Sequence, residues 1–315
     1  MTEKVERDWV SSFWRRTGAL IIDTLVLGAF GFILGLYFEG YFVQIGGWGR
    51  LVGFSIALVY FGILNSSISG GQTVGKKIFD IKVVNVKNNS ISLSRSVVRY
   101  LILATPFALN GARLPDEITF SLVFYIISMI VFGGALSILY LYIFNRTTRQ
   151  SLHDLFVGTY VVHANVEKQE PGKVWNVHLI VVGLLLLAAA VTPALTSQLV
   201  ESEPFKGMLP VQSAISNDPA VSYATLFVGS STFSATNNDP KTTSYIRSQA
   251  FLKSDDVSDS DLARRLAAII VANYPQALQK DMIQINLTYG YDIGITSSWS
   301  SNAYNFNPLE LKGTE

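Results

Sequence analysis

The sequence feature that most constrains the fold is an apolar stretch near the start of the chain, at residues 13–38. It opens with Arg15 and Arg16, and from Thr17 to Phe38, a length of twenty-two residues, Asp23 is the single charged residue. About 20 apolar residues suffice for a helix to cross a bilayer. A carboxylate inside such a helix normally faces protein, water or a cation, because its burial in lipid costs several kcal/mol by some scales. Arg16 and Asp23 lie seven positions apart, or two helical turns, so we expect one face of this helix to point into a bundle.

The composition agrees with a membrane protein. Of 315 residues, 49% are hydrophobic and only 15% are charged. The chain has no cysteine, which excludes disulfides, thiol catalysis and zinc–thiolate sites. No cofactor is indicated. The first apolar run is long and lacks a small-residue cleavage site, so we expect no removable signal peptide.

Further apolar runs predict about five membrane passes, one of them short and broken by Pro106. After the first pass, the predicted runs are 51–68, 100–110, 118–144 and 174–199.

The distribution of basic residues predicts the orientation. Arginine and lysine concentrate before the first span, at 76–99 and at 146–173, whereas the turns at 39–50 and 111–117 carry only Arg50 and Arg113. Basic segments stay in the cytoplasm. We therefore expect a membrane protein with a cytoplasmic N-terminus and a C-terminal domain outside.

A small β-hairpin is predicted within the basic loop. Residues 81–86 and 90–93 have strand-like patterns, and they flank the turn-forming pair Asn88 and Asn89.

The C-terminal residues predict an α+β soluble domain with the element order β-β-α-β-β. Strands are expected at 222–235 and 242–252 around a turn at Asn237–Pro240, a helix at 259–274, and strands at 282–289 and 291–299 joined at Tyr289–Asp292. The fold class is therefore an all-α polytopic membrane bundle plus this domain. From residue 201 onward, 8 basic and 12 acidic residues give −4, which speaks against nucleic-acid binding.

Four aspartates before and inside the predicted helix at 259–274, at positions 255, 256, 259 and 261, superficially suggest a calcium loop. They lack the glycine and the closing glutamate of such loops. Acidic residues at a helix start are favoured by the helix dipole, and we expect Ser258 or Ser260 to cap the helix. No metal site is predicted.

Three blocks of residues in the first half form a recognisable set. They are Phe13–Arg16 with Ala19 and Asp23, then Gly71, Gln72, Thr73, Val74, Gly75 and Lys76, and finally Arg149–Asp154, which includes His153, with Gly158 and Thr159. In this order they resemble the RDD family of bacterial membrane proteins, over residues 10–165. The predicted division is an RDD membrane domain at 1–165, a linker and last membrane helix at 166–200, and an extracytoplasmic domain at 201–315.

The resemblance implies that Arg16, Asp23 and Asp154 are the three residues for which the family is named. We expect Arg16 to pair with Asp154 and so anchor the 145–162 loop to the first helix, although His153 and Asp154 could instead handle a proton. Asp23 either pairs with an arginine to fix helix register or lies on an ion route.

The segment Gly70–Lys77 also fits a phosphate-binding GxxxxGK pattern, but Lys77 stands where a hydroxyl residue should hold Mg²⁺. The preceding element is a membrane span and not a buried strand. We therefore expect a tight loop that presents Lys76 and Lys77 to anionic lipid headgroups.

Two classes of function remain. No catalytic constellation is visible, so we expect no enzyme. The first class is a membrane-anchored scaffold, assembly partner or sensor, whose outer domain binds a membrane-protein partner or a second copy of the chain. The second is a small ion- or solute-coupled transporter of the sodium–proton exchange type, as proposed for members of the RDD family, which would use Asp23.

Overall fold

The computed structural model of the protein describes residues 9–111, 121–200, 207–233 and 240–311. Arg113 and most of the turns predicted at 111–117 and Asn237–Pro240 lie outside these residues. The chain divides into two compact units. One comprises Met1–Leu34, Gly47–Leu195 and Ile293–Thr296, and the other comprises Gly35–Gly46, Thr196–Asp292 and Ser297–Glu315.

Helices dominate the first half of the chain. In order, the elements are α1 (Phe13–Ile45), α2 (Arg50–Leu64), α3 (Val74–Ile78), strand β1 (Ile81–Asn85), α4 (Leu93–Leu109), α5 (Leu122–Ser128), a π-helical turn (Met129–Gly134), α6 (Ala135–Phe144), α7 (Leu152–Val157), strand β2 (Thr159–His163) and α8 (Asn176–Val200).

Within the described residues, three helical stretches are long and apolar enough to cross a membrane: Phe13–Leu64, Leu122–Phe144 and Asn176–Leu195. The first of these contains α1 and α2, which are joined by a single 3-10 turn at Gly46–Gly49. This identifies a membrane protein with several apolar helices.

The third predicted run begins earlier than expected. Helix α4 starts at Leu93 and not near Tyr100, because the Ser92 hydroxyl accepts a hydrogen bond from Arg95 N at 3.3 Å and caps the helix there. Residues 93–99, of which four are serine or arginine, therefore form its first two turns, and Pro106 lies inside the helix.

The predicted hairpin at 81–93 is wrong in its second strand. β1 pairs antiparallel with β2, from Ile81 opposite His163 to Asn85 opposite Thr159. A turn does follow β1, since Asn85 N donates to Asn89 O at 2.9 Å. Ile91 forms only an isolated bridge to Ser66. β1 pairs with β2 and not with 90–93 because of apolar burial. β2 supplies consecutive buried valines, whereas in 90–93 the apolar residues alternate with serine.

The second half of the chain contains a four-stranded sheet with two helices. Its elements are α9 (Met208–Ser216), β3 (Val221–Phe233), β4 (Lys241–Leu252), α10 (Ser260–Asn273), β5 (Met282–Asp292) and β6 (Ser297–Phe306). The strand order is β3-β4-β5-β6, with β4 and β5 parallel and the other pairs antiparallel. The predicted β-β-α-β-β order is therefore confirmed, and α9 is an addition that the sequence analysis missed.

One face of this sheet holds the core. The alternating residues Ile283, Ile285 and Leu287 of β5 are completely buried, and they join a cluster with Leu266 and Ile270 of α10. Burial of a Leu or Ile side chain contributes about 1.5–3 kcal/mol each, so this face determines the register of the sheet.

Two local predictions in this region are corrected. Strand β5 continues through Tyr289–Asp292, so the turn to β6 falls at 293–296 and not at Tyr289–Asp292. The cap of α10 is Asp259, whose side chain accepts from Asp261 N and Leu262 N at 2.9 Å, and not Ser258 or Ser260. Among the residues described, no group of acidic or histidine side chains has the geometry of a metal site.

Candidate functional site

The centre of the candidate site is Asp154, in the short helix α7. Ser151 and Asp154 form a capping box at the start of this helix, in which Ser151 N donates to Asp154 Oδ2 at 3.4 Å. The Asp154 carboxylate is completely buried. A buried carboxylate requires donors on both oxygens.

Two arginines supply those donors. Arg16 Nη2 lies 2.9 Å from Asp154 Oδ2, as the sequence predicted. Arg99 of α4 donates to Oδ1 through Nε at 2.9 Å and through Nη2 at 2.7 Å. Thr159 Oγ1 also donates to Oδ1, at 3.0 Å. Asp154 therefore joins α1, α4, α7 and the start of β2.

The charges around Asp154 favour its ionised form. Burial raises the pKa of the carboxyl group, but Arg99 and Arg16 outweigh this effect and hold the pKa far below its usual range. His153 Nε2 is 3.5 Å from Asp154 Oδ2. Burial lowers the pKa of His153 to about 3, with Arg99 and Arg16 acting in the same direction against Asp154. His153 is therefore neutral at physiological pH.

Arg16 has two further contacts. Its Nη1 donates to the backbone oxygen of Arg149, and its guanidinium lies 5.2 Å from the centre of the Tyr142 ring. Arg149 itself has a φ of +53°, a conformation that L residues rarely adopt. The turn before α7 is thus held to the start of α1.

Asp23 is completely buried, as expected, but its partners are uncharged. Tyr60 Oη donates to Oδ1 at 2.8 Å, Gly75 N donates to Oδ1 at 2.8 Å, and Thr73 Oγ1 donates to Oδ2 at 2.5 Å. Within the described parts of the chain, no arginine or lysine is within ion-pair distance of Asp23. The predicted alternative in which Asp23 pairs with an arginine is therefore wrong.

The segment from Gly71 to Lys76 forms the loop that Asp23 holds. Thr73 caps α3 by accepting from Lys76 N at 3.2 Å, and Gln72 Nε2 donates to Ile81 O at 3.0 Å. Gly71 has a φ of +78° and accepts a hydrogen bond from Val83 N at 2.8 Å. A Cβ at Gly75 would lie 2.1 Å from the backbone oxygen of Ala19, so only glycine allows this approach of the loop to α1.

The two lysines of this loop are placed differently. Lys77 is exposed, whereas Lys76 is half-buried and lines a cavity of about 220 Å³ inside the first unit. Headgroup contact of these lysines stays a prediction.

The same cavity collects most of the other polar residues described above. Its polar wall consists of Arg16, Asp23, Asn65, Lys76, Arg99 and His153, and its apolar wall includes Leu20, Phe61, Tyr100 and Leu103. The structure thus brings Arg16, Asp23, Lys76 and His153 of the predicted set to one cavity, while Gly71, Gln72, Thr73 and Gly75 shape the adjoining loop.

Sequence reasoning missed Arg99 and Tyr60. A signal for Arg99 existed, because an arginine that directly precedes an apolar run is expected to pair with an acidic side chain inside the bundle. Tyr60 gave no comparable signal, since a tyrosine in an apolar run is typical of a membrane interface.

Comparison with known families supports the resemblance that the motifs suggested. Residues 10–158 match the family model described as RDD family, and the region beyond them is unassigned. No curated protein and no solved structure matches the chain.

Proposed function

We propose, from the premise that residues 10–158 are an RDD family domain, that the chain is a membrane-anchored scaffold or sensor. In this proposal the RDD domain is a rigid anchor, and the C-terminal α/β domain binds a membrane-protein partner or a second copy of the chain. The proposed role is not enzymatic.

One observation carries the proposal: both family aspartates are fully occupied by partners within the domain. Asp154 accepts from two arginines and Thr159, and Asp23 accepts from Tyr60, Thr73 and Gly75. A carboxylate with three or more donors has little capacity left for a mobile cation, because each bond must first be broken. Such residues suit a role in holding loops and helices together.

The C-terminal domain offers a surface for binding. On the sheet, the rings of Tyr223 and Phe251 stack with centroids 3.9 Å apart, and Trp299 lies 5.3 Å from Phe251. Phe227 and Trp299 are 57% and 46% exposed. Exposed aromatic side chains are enriched at protein–protein interfaces, which supports a protein partner.

The proposed topology is five passes in a bacterial inner membrane, with a cytoplasmic N-terminus and the C-terminal domain outside. The basic residues at 76–99 and 146–173 support this orientation. A reporter active only in the periplasm, fused after Leu311, should be active, and one active only in the cytoplasm should be silent.

A second candidate, ion- or solute-coupled transport, is favoured by the cavity that Asp23 and Lys76 line. One experiment separates the two functions. Purified protein is reconstituted into vesicles that hold a pH-sensitive dye, and a sodium gradient is imposed. The anchor role predicts the same proton flux as in protein-free vesicles. Flux that exceeds this level and that disappears in Asp23→Asn, with folded protein retained, would establish transport instead.

A further inference from the structure

Another cavity of the first unit lies where two of the membrane-crossing stretches have an end. It has a volume of about 470 Å³ and lies between the first turn of α1 and the last turn of α6. Beside it, the ring centres of Phe13 and Tyr142 are 5.0 Å apart, and Thr17 Oγ1 is 2.9 Å from Tyr142 Oη. One stretch begins at Phe13 and the other ends at Phe144, so the cavity lies at the level of the lipid headgroups.

Two arginines without a counter-ion line this cavity. They are Arg146, which is exposed, and Arg149, which is half-buried. None of the described residues that line the cavity is acidic. Arg16 lines it as well, but Asp154 lies 2.9 Å from Arg16 Nη2 and takes up that charge. Two positive charges therefore remain unbalanced at the cavity.

The loop that carries both arginines is already fixed by hydrogen bonds. Arg149 N donates to Asn145 O at 3.0 Å, and Arg16 Nη1 donates to Arg149 O. Asn145 Nδ2 donates to Gln150 O at 2.9 Å, and both of these side chains are buried. A ligand would not have to order this loop, which lowers the entropic cost of binding.

The polar groups left free at the cavity are hydrogen-bond donors. Ser12 Oγ accepts from Arg15 N at 3.5 Å, and among the described residues no group accepts the proton of this hydroxyl. Asn145 Oδ1 is an acceptor, but it is already bonded to Thr148 N at 3.4 Å. A ligand at this cavity must therefore supply acceptors. A phosphate group supplies up to four oxygens, and the planar guanidinium of arginine binds phosphate oxygens in pairs.

The apolar wall of the cavity suits a lipid. Trp14 and Ile143 line it, and they are 77% and 50% exposed. Tryptophan is enriched where a membrane helix meets the headgroups. The glycerol and upper acyl chain of a lipid would contact these side chains while its phosphate reaches the arginines.

We propose that this cavity binds a phosphate group, held by Arg146 and Arg149 with the Ser12 hydroxyl as a third donor. The site goes beyond the anchor role, and it requires neither a protein partner nor ion flux. The phosphate belongs either to a lipid headgroup, which the apolar wall favours, or to a free ion, and the experiment separates these two sources.

The test uses the full-length protein in an uncharged detergent. Native mass spectrometry counts bound dioleoyl phosphatidylglycerol, with dioleoylglycerol as the analogue that lacks the phosphate. Calorimetry with sodium phosphate measures binding of the free ion. Retention of the phospholipid without heat from sodium phosphate would identify the lipid as the source. Heat from sodium phosphate alone would identify the free ion, and binding of both would show that the phosphate group suffices.

A pair of variants with the same loss of charge locates the site. Arg146→Gln combined with Arg149→Gln should weaken binding about tenfold or more, because charge-assisted hydrogen bonds are stronger than neutral ones. Lys87→Gln combined with Arg95→Gln removes the same charge from two exposed side chains of the same unit that do not line the cavity. This control should leave binding unchanged.

Three results would overturn the proposal. They are no binding of phospholipid or phosphate, equal binding of dioleoylglycerol, or binding that the cavity pair and the control pair weaken equally. If the variant with both arginines replaced fails to fold, Arg146→Gln alone still decides. Its side chain is exposed, and its loss should weaken binding by about threefold. Unchanged binding in this folded variant would contradict a site built on Arg146.

Discussion

Arg99 donates to Asp154 from both Nε and Nη2, at 2.9 and 2.7 Å, and both bonds end on the same oxygen. This arrangement leaves the other oxygen of Asp154 to Arg16. The two arginines come from α1 and α4, far apart in sequence, so one carboxylate fixes two helices to the loop that carries α7. Arg99 is therefore as central to the network as Arg16 and Asp154.

The first prediction concerns this arginine. Arg99→Ala should destabilise the protein by about 3–5 kcal/mol, because it removes a partner from a buried ion pair. Arg95→Ala, one turn earlier in α4 and exposed, should change stability by less than about 0.5 kcal/mol. Denaturant titration of both purified variants in detergent measures the difference. Equal stability of the two variants would contradict the central role of Arg99.

The second prediction concerns Asp23. Asp23→Leu should lower the yield of folded protein more than Asp23→Asn, because leucine leaves Tyr60 Oη, Thr73 Oγ1 and Gly75 N without an acceptor, at about 1–3 kcal/mol for each buried group. Asparagine keeps one oxygen for Gly75 N. Size-exclusion chromatography of the solubilised variants reports the folded fraction. If the leucine variant accumulates like the wild type, these bonds do not stabilise the loop.

A third prediction uses two glycines in different surroundings. Gly75→Ala should prevent folding or lower stability strongly, since its Cβ would meet the Ala19 backbone oxygen at 2.1 Å. Gly183→Ala, in α8, should be neutral or stabilising by up to about 1 kcal/mol, because apart from its chain neighbours and the nearby backbone of its own helix no described atom lies within 4 Å of the added carbon. Melting temperatures of the two variants provide the comparison, and a stable Gly75→Ala protein would show that the loop can move away from α1.

The fourth prediction concerns pH. The pKa of His153 is about 3 in the folded protein and 6.5 as its ordinary value. Below pH 6.5 the unfolded chain therefore binds a proton that the folded protein does not, and stability falls as the pH is lowered. Between pH 7.5 and pH 5 the loss should be about 2 kcal/mol. His153→Gln should remove most of this slope in denaturant titrations, and an unchanged slope would place its origin in another group.

The sequence predicted the parts of the fold that depend on local pattern. The apolar runs, the alternation of Ile283, Ile285 and Leu287, and the spacing in α10 each specify their own element. The pairing of β1 with β2 was not predictable in this way. Ile81 pairs with His163, which is distant in sequence, and nothing in residues 81–93 shows that β1 prefers that strand to the nearby segment around Ile91.

In the candidate site, too, some contacts could be predicted from the sequence and others depend on tertiary packing. The pairing of Arg16 with Asp154 followed from opposite charges at recognised motif positions on the same predicted side. The neutral surroundings of Asp23 could not be predicted from the sequence. They depend on a tyrosine of α2 and a backbone amide of α3 that only tertiary packing brings together. Every residue except proline carries the same backbone N–H donor, so the sequence does not show which of these donors will meet a buried carboxylate.

The short β1–β2 ladder also constrains the path of the chain through the bilayer. Val10 bridges Val162, and β1 pairs with β2 next to it, so three segments distant in sequence are hydrogen-bonded to one another. Backbone segments joined in this way cannot have a bilayer between them. The chain must therefore cross an even number of times between Val10 and β1, and again an even number of times between β1 and β2. This parity holds whichever side faces the cytoplasm.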